Sequence, residues 1–305
     1  MAGPIDVEQL LGVNKLADGS YVGRLPMIKA HPQARGAYGG NIAGQALVAV
    51  AADTPPGFVP HSFQSYFIGA VDDKTPLEWK IEQISQGKSF CNRHVRGYQD
   101  GQLKFYGNAS LTRKNSHDEQ PFQFQTPYHQ WLASNKLDAI PTDNRGQHLH
   151  IYHKMPPQFS DLASTRSEES RDVTDRRLAW FVRWGNDEDP SQQLVEKVAG
   201  PYKYAGLVAL SDSLFLTRLA RNLRLPVDHL DPIHYFSVSL DHVIYFHDDN
   251  FDATQWLGFS FRALRLVNKR VVLEAEIYDV NGVHVATVIQ EGLIHLNGLE
   301  ETAKL

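Results

Sequence analysis

Tyr204-Ala205-Gly206-Leu207-Val208-Ala209-Leu210-Ser211-Asp212-Ser213-Leu214 decides the fold once it is set beside Tyr38-Gly39-Gly40-Asn41-Ile42-Ala43-Gly44-Gln45-Ala46-Leu47. The first copy continues with His61 to Ile68 and strands from Leu77 to Thr112. The second continues with Ser237 to His247 and strands from Gln255 to Leu296. The chain therefore reads as one architectural unit stated twice. Registering Gly44-Gln45-Ala46-Leu47 on Ser211-Asp212-Ser213-Leu214 sets Gln45 opposite Asp212. Registering the turn glycines Gly101 and Gly282 sets Ala109 opposite Gln290. Neither first-half position carries a group that activates water. An asymmetric duplication of this kind puts a site in the second half.

The elements around these stretches follow from periodicity and turn chemistry. Gly44 to Ala52 is apolar almost all round, as in a helix buried on most of its surface, and Thr54-Pro55-Pro56-Gly57 stops it. Leu77 to Glu82 alternates apolar and polar residues, the mark of a half-buried strand. Phe63 to Ile68, Phe90 to Tyr98 and Leu103 to Leu111 complete the first set of strands, with a hairpin at Asp100-Gly101. In the second half Leu178 to Trp184 is a strand, a helix runs from Leu207 to Asn222, and strands cover Tyr235 to Phe246, Gln255 to Leu266, Arg270 to Asp279 and His284 to Leu296. Asn281-Gly282 is again a turn signal. Ser164 to Arg171 has almost nothing apolar to bury and reads as a mobile linker. The expected division is 1–112, a connection at 113–175 that is partly disordered, 176–298 and a tail at 299–305. Helices against antiparallel sheets make the class α+β.

Composition sets the class of partner. The chain has 305 residues, 42% hydrophobic and 21% charged, with a formal net charge of −5, so no global field draws it to nucleic acid or an anionic membrane. Cys91 is the sole cysteine, which excludes an intrachain disulfide. Met1 to Leu16 lacks the long apolar run of a signal peptide, and no window has the length of a membrane span. A soluble intracellular protein is expected. Ala303-Lys304-Leu305 follows the small–basic–leucine pattern that peroxisomal import receptors read, on a tail expected to be accessible.

Five motifs in order carry a resemblance: Tyr38-Gly39-Gly40 through Gly44-Gln45-Ala46-Leu47, His61 to Phe67, Gly87-Lys88-Ser89-Phe90, Ser239-Leu240-Asp241-His242, and Val288-Ile289-Gln290-Glu291-Gly292. Together they resemble the type II acyl-CoA thioesterases. The resemblance implies a double hot-dog fold, two fused units each with a long helix against a curved antiparallel sheet. It implies hydrolysis of acyl-coenzyme A without metal or cofactor, and association into a homo-oligomer. It also implies a catalytic set of Asp212 near the start of the second helix, Ser239 before Asp241-His242, and Gln290 before Glu291-Gly292. Asp212 and Gln290 are the two positions at which the repeat is asymmetric.

The chemistry suits those types. A carboxylate takes a proton from water while a hydroxyl and an amide orient it, and free N–H groups at a helix N-terminus stabilise the oxyanion. Competing readings are weaker. Asp241 and His242 are strand neighbours and point to opposite faces, so Asp241 reads as a structural hydrogen-bonding residue. Cys91 lies in an apolar strand with no evident base. His148, His150 and His153 lack paired acidic or cysteine ligands, and no nucleophile elbow is present. The glycines from Gly36 to Gly44 read as permitting close helix–sheet packing rather than a phosphate loop. Lys88, Arg93, Arg96, Lys269 and Arg270 are candidate partners for coenzyme A phosphates, and Ser65 to Ile68 for the acyl chain. The alternatives are a hot-dog enoyl-CoA hydratase, which would want a histidine where Thr217 stands, and a non-catalytic acyl-CoA-binding protein.

Overall fold

The computed structural model describes residues 5–30, 34–113, 122–144, 146–156, 159, 161–194, 198–213, 215–225 and 236–304. Its first half opens with a short helix α1 (Val7–Leu11) and two short strands, β1 (Val13–Lys15) and β2 (Tyr21–Gly23). The long helix α2 (Gly39–Asp53) follows, buried continuously from Gly40 to Val50 as its small and apolar residues require. Strands β3 (Val59–Phe67), β4 (Glu78–Gln86), β5 (Phe90–Gln99) and β6 (Gln102–Thr112) then form an antiparallel sheet on which α2 packs. Asp100 and Gly101, at φ 51° and 74°, make the two-residue turn between β5 and β6 whose left-handed backbone suits an Asp-Gly pair.

The second half repeats the plan. Strand β9 (Leu178–Trp184) precedes helices α4 (Pro201–Ser211) and α5 (Arg218–Asn222). Strands β10 (Phe236–Ser239), β11 (Asp241–Phe246), β12 (Leu257–Val267), β13 (Arg270–Tyr278) and β14 (His284–His295) follow. Two expectations change here. The single helix from Leu207 to Asn222 is two helices, the first starting earlier at Pro201, which occupies the first turn where its missing N–H costs nothing. It stops at Ser211 because short polar side chains compete for the backbone: Ser211 Oγ donates to the Val208 carbonyl at 2.8 Å. The strand expected at Tyr235 to Phe246 is bent at Leu240 into β10 and β11. Tyr235 and Leu214 lie outside the described residues.

With β7 (Thr142–Asp143) and β8 (Ile151–Lys154) added, one sheet of 14 strands joins the halves in the order β1-β2-β4-β5-β6-β3-β11-β14-β13-β12-β9-β8-β7, with β10 also on β14. The run β4-β5-β6-β3 is mirrored by β12-β13-β14-β11. The seam is the antiparallel pair β3 and β11, with Tyr66 opposite Asp241 and Gln64 opposite Val243. This is the double hot-dog α+β arrangement. Against each other α2 and α4 lie antiparallel. A Cβ at Gly40 would stand 2.7 Å from the Ala209 carbonyl oxygen, and one at Gly44 would stand 2.8 Å from that of Ala205. These glycines thus serve helix–helix approach rather than the helix–sheet packing expected.

The stretch 113–175 is more than a connection among its described residues. It supplies α3 (Gln130–Ser134) and the strands β7 and β8, the two strands extending the sheet beyond β9. The polar run within it forms a 3-10 segment, Ala163–Ser170. Charge holds it in place of apolar burial: Glu168 pairs with buried Arg221 at 2.7 Å and with Arg224 at 3.2 Å. The tail is likewise tied. The Lys304 N–H donates to the Leu223 carbonyl, and buried Arg176 donates to the Lys304 carbonyl at 2.5 Å. Leu305 lies outside the described residues. Among those described, no helix is long and apolar enough to cross a membrane.

Candidate active site

Where the N-terminus of α2 meets the C-terminus of α4, Asp212 is the residue that caps α4. The expectation of an aspartate near the start of its helix is therefore corrected: its own helix presents its negative end to the carboxylate, and the neighbouring helix from the first half presents its positive end. The antiparallel packing that Gly40 and Gly44 permit produces this meeting.

Three elements then converge. Gln290, fully buried on β14, donates from Nε2 to Asp212 Oδ1 at 2.9 Å and to Ser239 Oγ at 2.5 Å. Ser239 ends β10, opposite Gly292, and its hydroxyl also bonds Asp212. The Gly40 backbone N–H makes the fourth contact, from the first half. Asp212, Ser239 and Gln290 are thus brought together, although 78 residues separate Asp212 from Gln290 in sequence. Gln290 Oε1 has no hydrogen-bond partner among the described residues, so an acceptor lone pair remains beside the carboxylate.

The site's electrostatics favour a base near neutrality. Burial pushes Asp212 up to about 6, while the bonds from Gln290, Gly40 and Ser239 pull it back toward the ordinary carboxylate range. The C-terminal end of α4 adds repulsion in the same direction as burial. Asp212 keeps 9% of its surface exposed. The first turn of α2 has no side-chain cap, Tyr38 making none, which leaves N–H groups beside the one that Gly40 gives to Asp212 without a helical partner. Phe67 flanks it: a Cβ on Gly39 would lie 3.0 Å both from the Phe67 ring and from Asp212 Oδ2.

The first-half counterparts do different work. Gln45 accepts from the Trp79 indole N–H at 2.9 Å and donates to the Gly12 carbonyl at 3.3 Å. Ala109 is buried core. Asp241 Oδ1 accepts from the Glu291 N–H at 2.6 Å and His242 points the other way, to Ser211. His150 turns to Gln192 and His153 to Ser213. Burial pushes the Cys91 thiol up, away from a nucleophile's range. Arg93 is withdrawn from the candidates for phosphate, since it is buried on Asp53, Gln86 and the carbonyls of Ser85 and Asn92. Sequence reasoning missed the Gly40 N–H and the residues flanking Asp212. The glycine pair after Tyr38 was the available signal, since only a residue without Cβ lets the helices approach so closely.

Comparison with known proteins bears on the family and the fold. Residues 28–112 match the family model for the acyl-CoA thioesterase N-terminal domain, and residues 134–294 match that for the acyl-CoA thioesterase C-terminal domain. The peroxisomal acyl-coenzyme A thioester hydrolase 1 of Saccharomyces cerevisiae is 26% identical over 95% of this chain and 94% of its own. Human acyl-coenzyme A thioesterase 8 is 27% identical over 88% of this chain and 83% of its own. The crystal structure of an acyl-CoA thioesterase II from Mycobacterium marinum superposes with a TM-score of 0.70 at 22% identity, over 96% of this chain and 98% of that one.

Proposed function

The chain belongs to the acyl-CoA thioesterase family, and we propose from that premise that it hydrolyses fatty acyl-CoA with a water activated by Asp212, Ser239 and Gln290. The observation that carries the assignment of residues is the contact of Gln290 Nε2 with both Asp212 and Ser239. Asp212 takes one proton of the water, and Gln290 Oε1 accepts from the other, which turns an oxygen lone pair toward the thioester carbon. The new C–O bond forms and the C–S bond breaks. The proton held by Asp212 ends on the sulfur of coenzyme A. Backbone N–H groups of the α2 first turn receive the oxyanion charge, where donors fixed in a water-poor site are most effective. Phe67 lines the acyl end.

Thiol release from acyl-CoA of graded chain length, followed on the purified protein, tests this. Turnover with at least one chain length is expected. Saturable binding without thiol release at any length would replace the enzyme by an acyl-CoA carrier.

The same proposal extends to place and assembly. The yeast relative is named as peroxisomal, and Ala303-Lys304-Leu305 has the chemistry that an import receptor reads. An N-terminally tagged protein in a host lacking it should form peroxisomal puncta, and loss of residues 303–305 should make the signal diffuse. Diffuse signal from the full-length protein would remove the address. Association into a homo-oligomer is checked by light scattering, where a monomer mass would exclude it.

A further inference from the structure

Asp212 sits between two serines, and each serine is bonded to a buried histidine from a different strand. Ser211 Oγ is 2.9 Å from His242 Nε2 on β11. Ser213 Oγ is 2.9 Å from His153 Nε2 on β8. All four side chains are buried. The direction of the bonds follows by elimination. Ser211 donates its proton to the Val208 carbonyl, so it accepts from His242, which must carry its proton on Nε2. Tyr38 donates to the Ala209 carbonyl at 2.5 Å and also bonds Ser213. Ser213 therefore donates to Tyr38 and accepts from His153. The turn that carries Asp212 is pinned on both sides, once to the seam strand β11 and once to β8, the strand beyond β9.

Such pinning answers a physical need. A carboxylate that is buried and stands at the negative end of its own helix is under pressure to swing toward water. A displacement of about 1 Å at a catalytic group costs as much as ~10²-fold in rate. We propose that the Ser211–His242 and Ser213–His153 pairs form a bracket holding the Asp212 carboxylate in place for proton transfer. The four are positioning residues, and the inference rests on Asp212 being the general base.

The test uses the full chain. Ser211→Ala with Ser213→Ala lowers kcat by roughly 10- to 100-fold while KM stays within about twofold, a range within which uniform binding is unchanged. Placed on top of Asp212→Asn, the same pair causes no further loss of kcat, because the carboxylate it positions is gone. His242→Gln, which sets an amide N–H near the place of the imidazole Nε2–H, retains more kcat than His242→Leu at matched thermal stability. Wild-type kcat in the folded serine double variant overturns the bracket. So does an equal fold-loss in the Asp212→Asn background, which would mark a general packing effect. Wild-type kcat in Asp212→Asn alone would instead overturn the base assignment on which the bracket rests.

Discussion

A charge held at the negative end of its own helix, away from water, costs stability, and under the proposed mechanism that cost serves chemistry. Asp212 is pushed up to about 6 from an ordinary value of 3.8. Between those values the folded state binds more protons than the unfolded chain, so this group's contribution to stability falls as pH rises from about 4 to about 6. The difference of about two units corresponds to a cost on the order of 3 kcal/mol at neutral pH. Asp212→Asn should therefore raise the melting temperature at pH 7.5 and give no such gain at pH 4, by calorimetry. In the wild type kcat/KM should rise with pH through about 6, as the base loses its proton. Gln45, opposite Asp212 in the sequence register, carries no such burden. Gln45→Ala orphans the Trp79 indole N–H and should cost about 1–3 kcal/mol with kcat within a few-fold of wild type. Abolished turnover in that folded variant would contradict a one-sided site. Asp212 and Gln290 were legible because the register set them against residues unable to activate water, and Gln290 also because it interrupts an apolar run. Ser239 rested on the resemblance alone. His153 was not legible, because only the sheet order brings β8 to the turn after α4.

The elements were legible where one pattern ran uninterrupted. Residues Leu178 to Trp184 form a strand as read, and α2 covers the apolar helical stretch with one more turn before it. Where two polar demands met, boundaries failed: Ser211, Asp212 and Ser213 each spend a hydrogen bond on something other than continuing the helix. The run Ser164 to Arg171 failed for a different reason. Composition measures what a segment can bury, and here buried arginines of α5 and the turn after it supply the partners. The α2–α4 contact yields its own prediction. Gly44→Ala would place a Cβ 2.8 Å from the Ala205 carbonyl oxygen, and backbone on both sides leaves no flexible group to yield. Overpacking of this kind costs about 1–3 kcal/mol. It should lower the melting temperature and, by tilting the α2 first turn away from Asp212, lower kcat as well. A variant as stable as the wild type would mean that the helices have slack.

At the scale of the molecule, one continuous sheet and one helix pair tie the two halves at the seam. Neither half can lose its fold without exposing β3 or β11 and one face of the partner helix. Heating should therefore give one calorimetric transition whose van't Hoff and calorimetric enthalpies agree; two separated transitions would show that the halves are independent. The same fusion brings the Gly40 N–H of the first half to the Asp212 carboxylate of the second, the meeting on which the proposed division of chemistry depends. Duplication was legible in the order of motifs, but the antiparallel contact that aims α2 at Asp212 was not, since no local pattern encodes how two buried helices cross.

The claim that one Asp212-centred site hydrolyses the thioester is tested most directly by thiol release from a single acyl-CoA at pH 7.5, comparing the wild type with folded Asp212→Asn. A fall in kcat of ~10²–10⁴-fold is predicted, with substrate still bound. Retention of more than about half of the wild-type kcat, where that factor is expected, would contradict it.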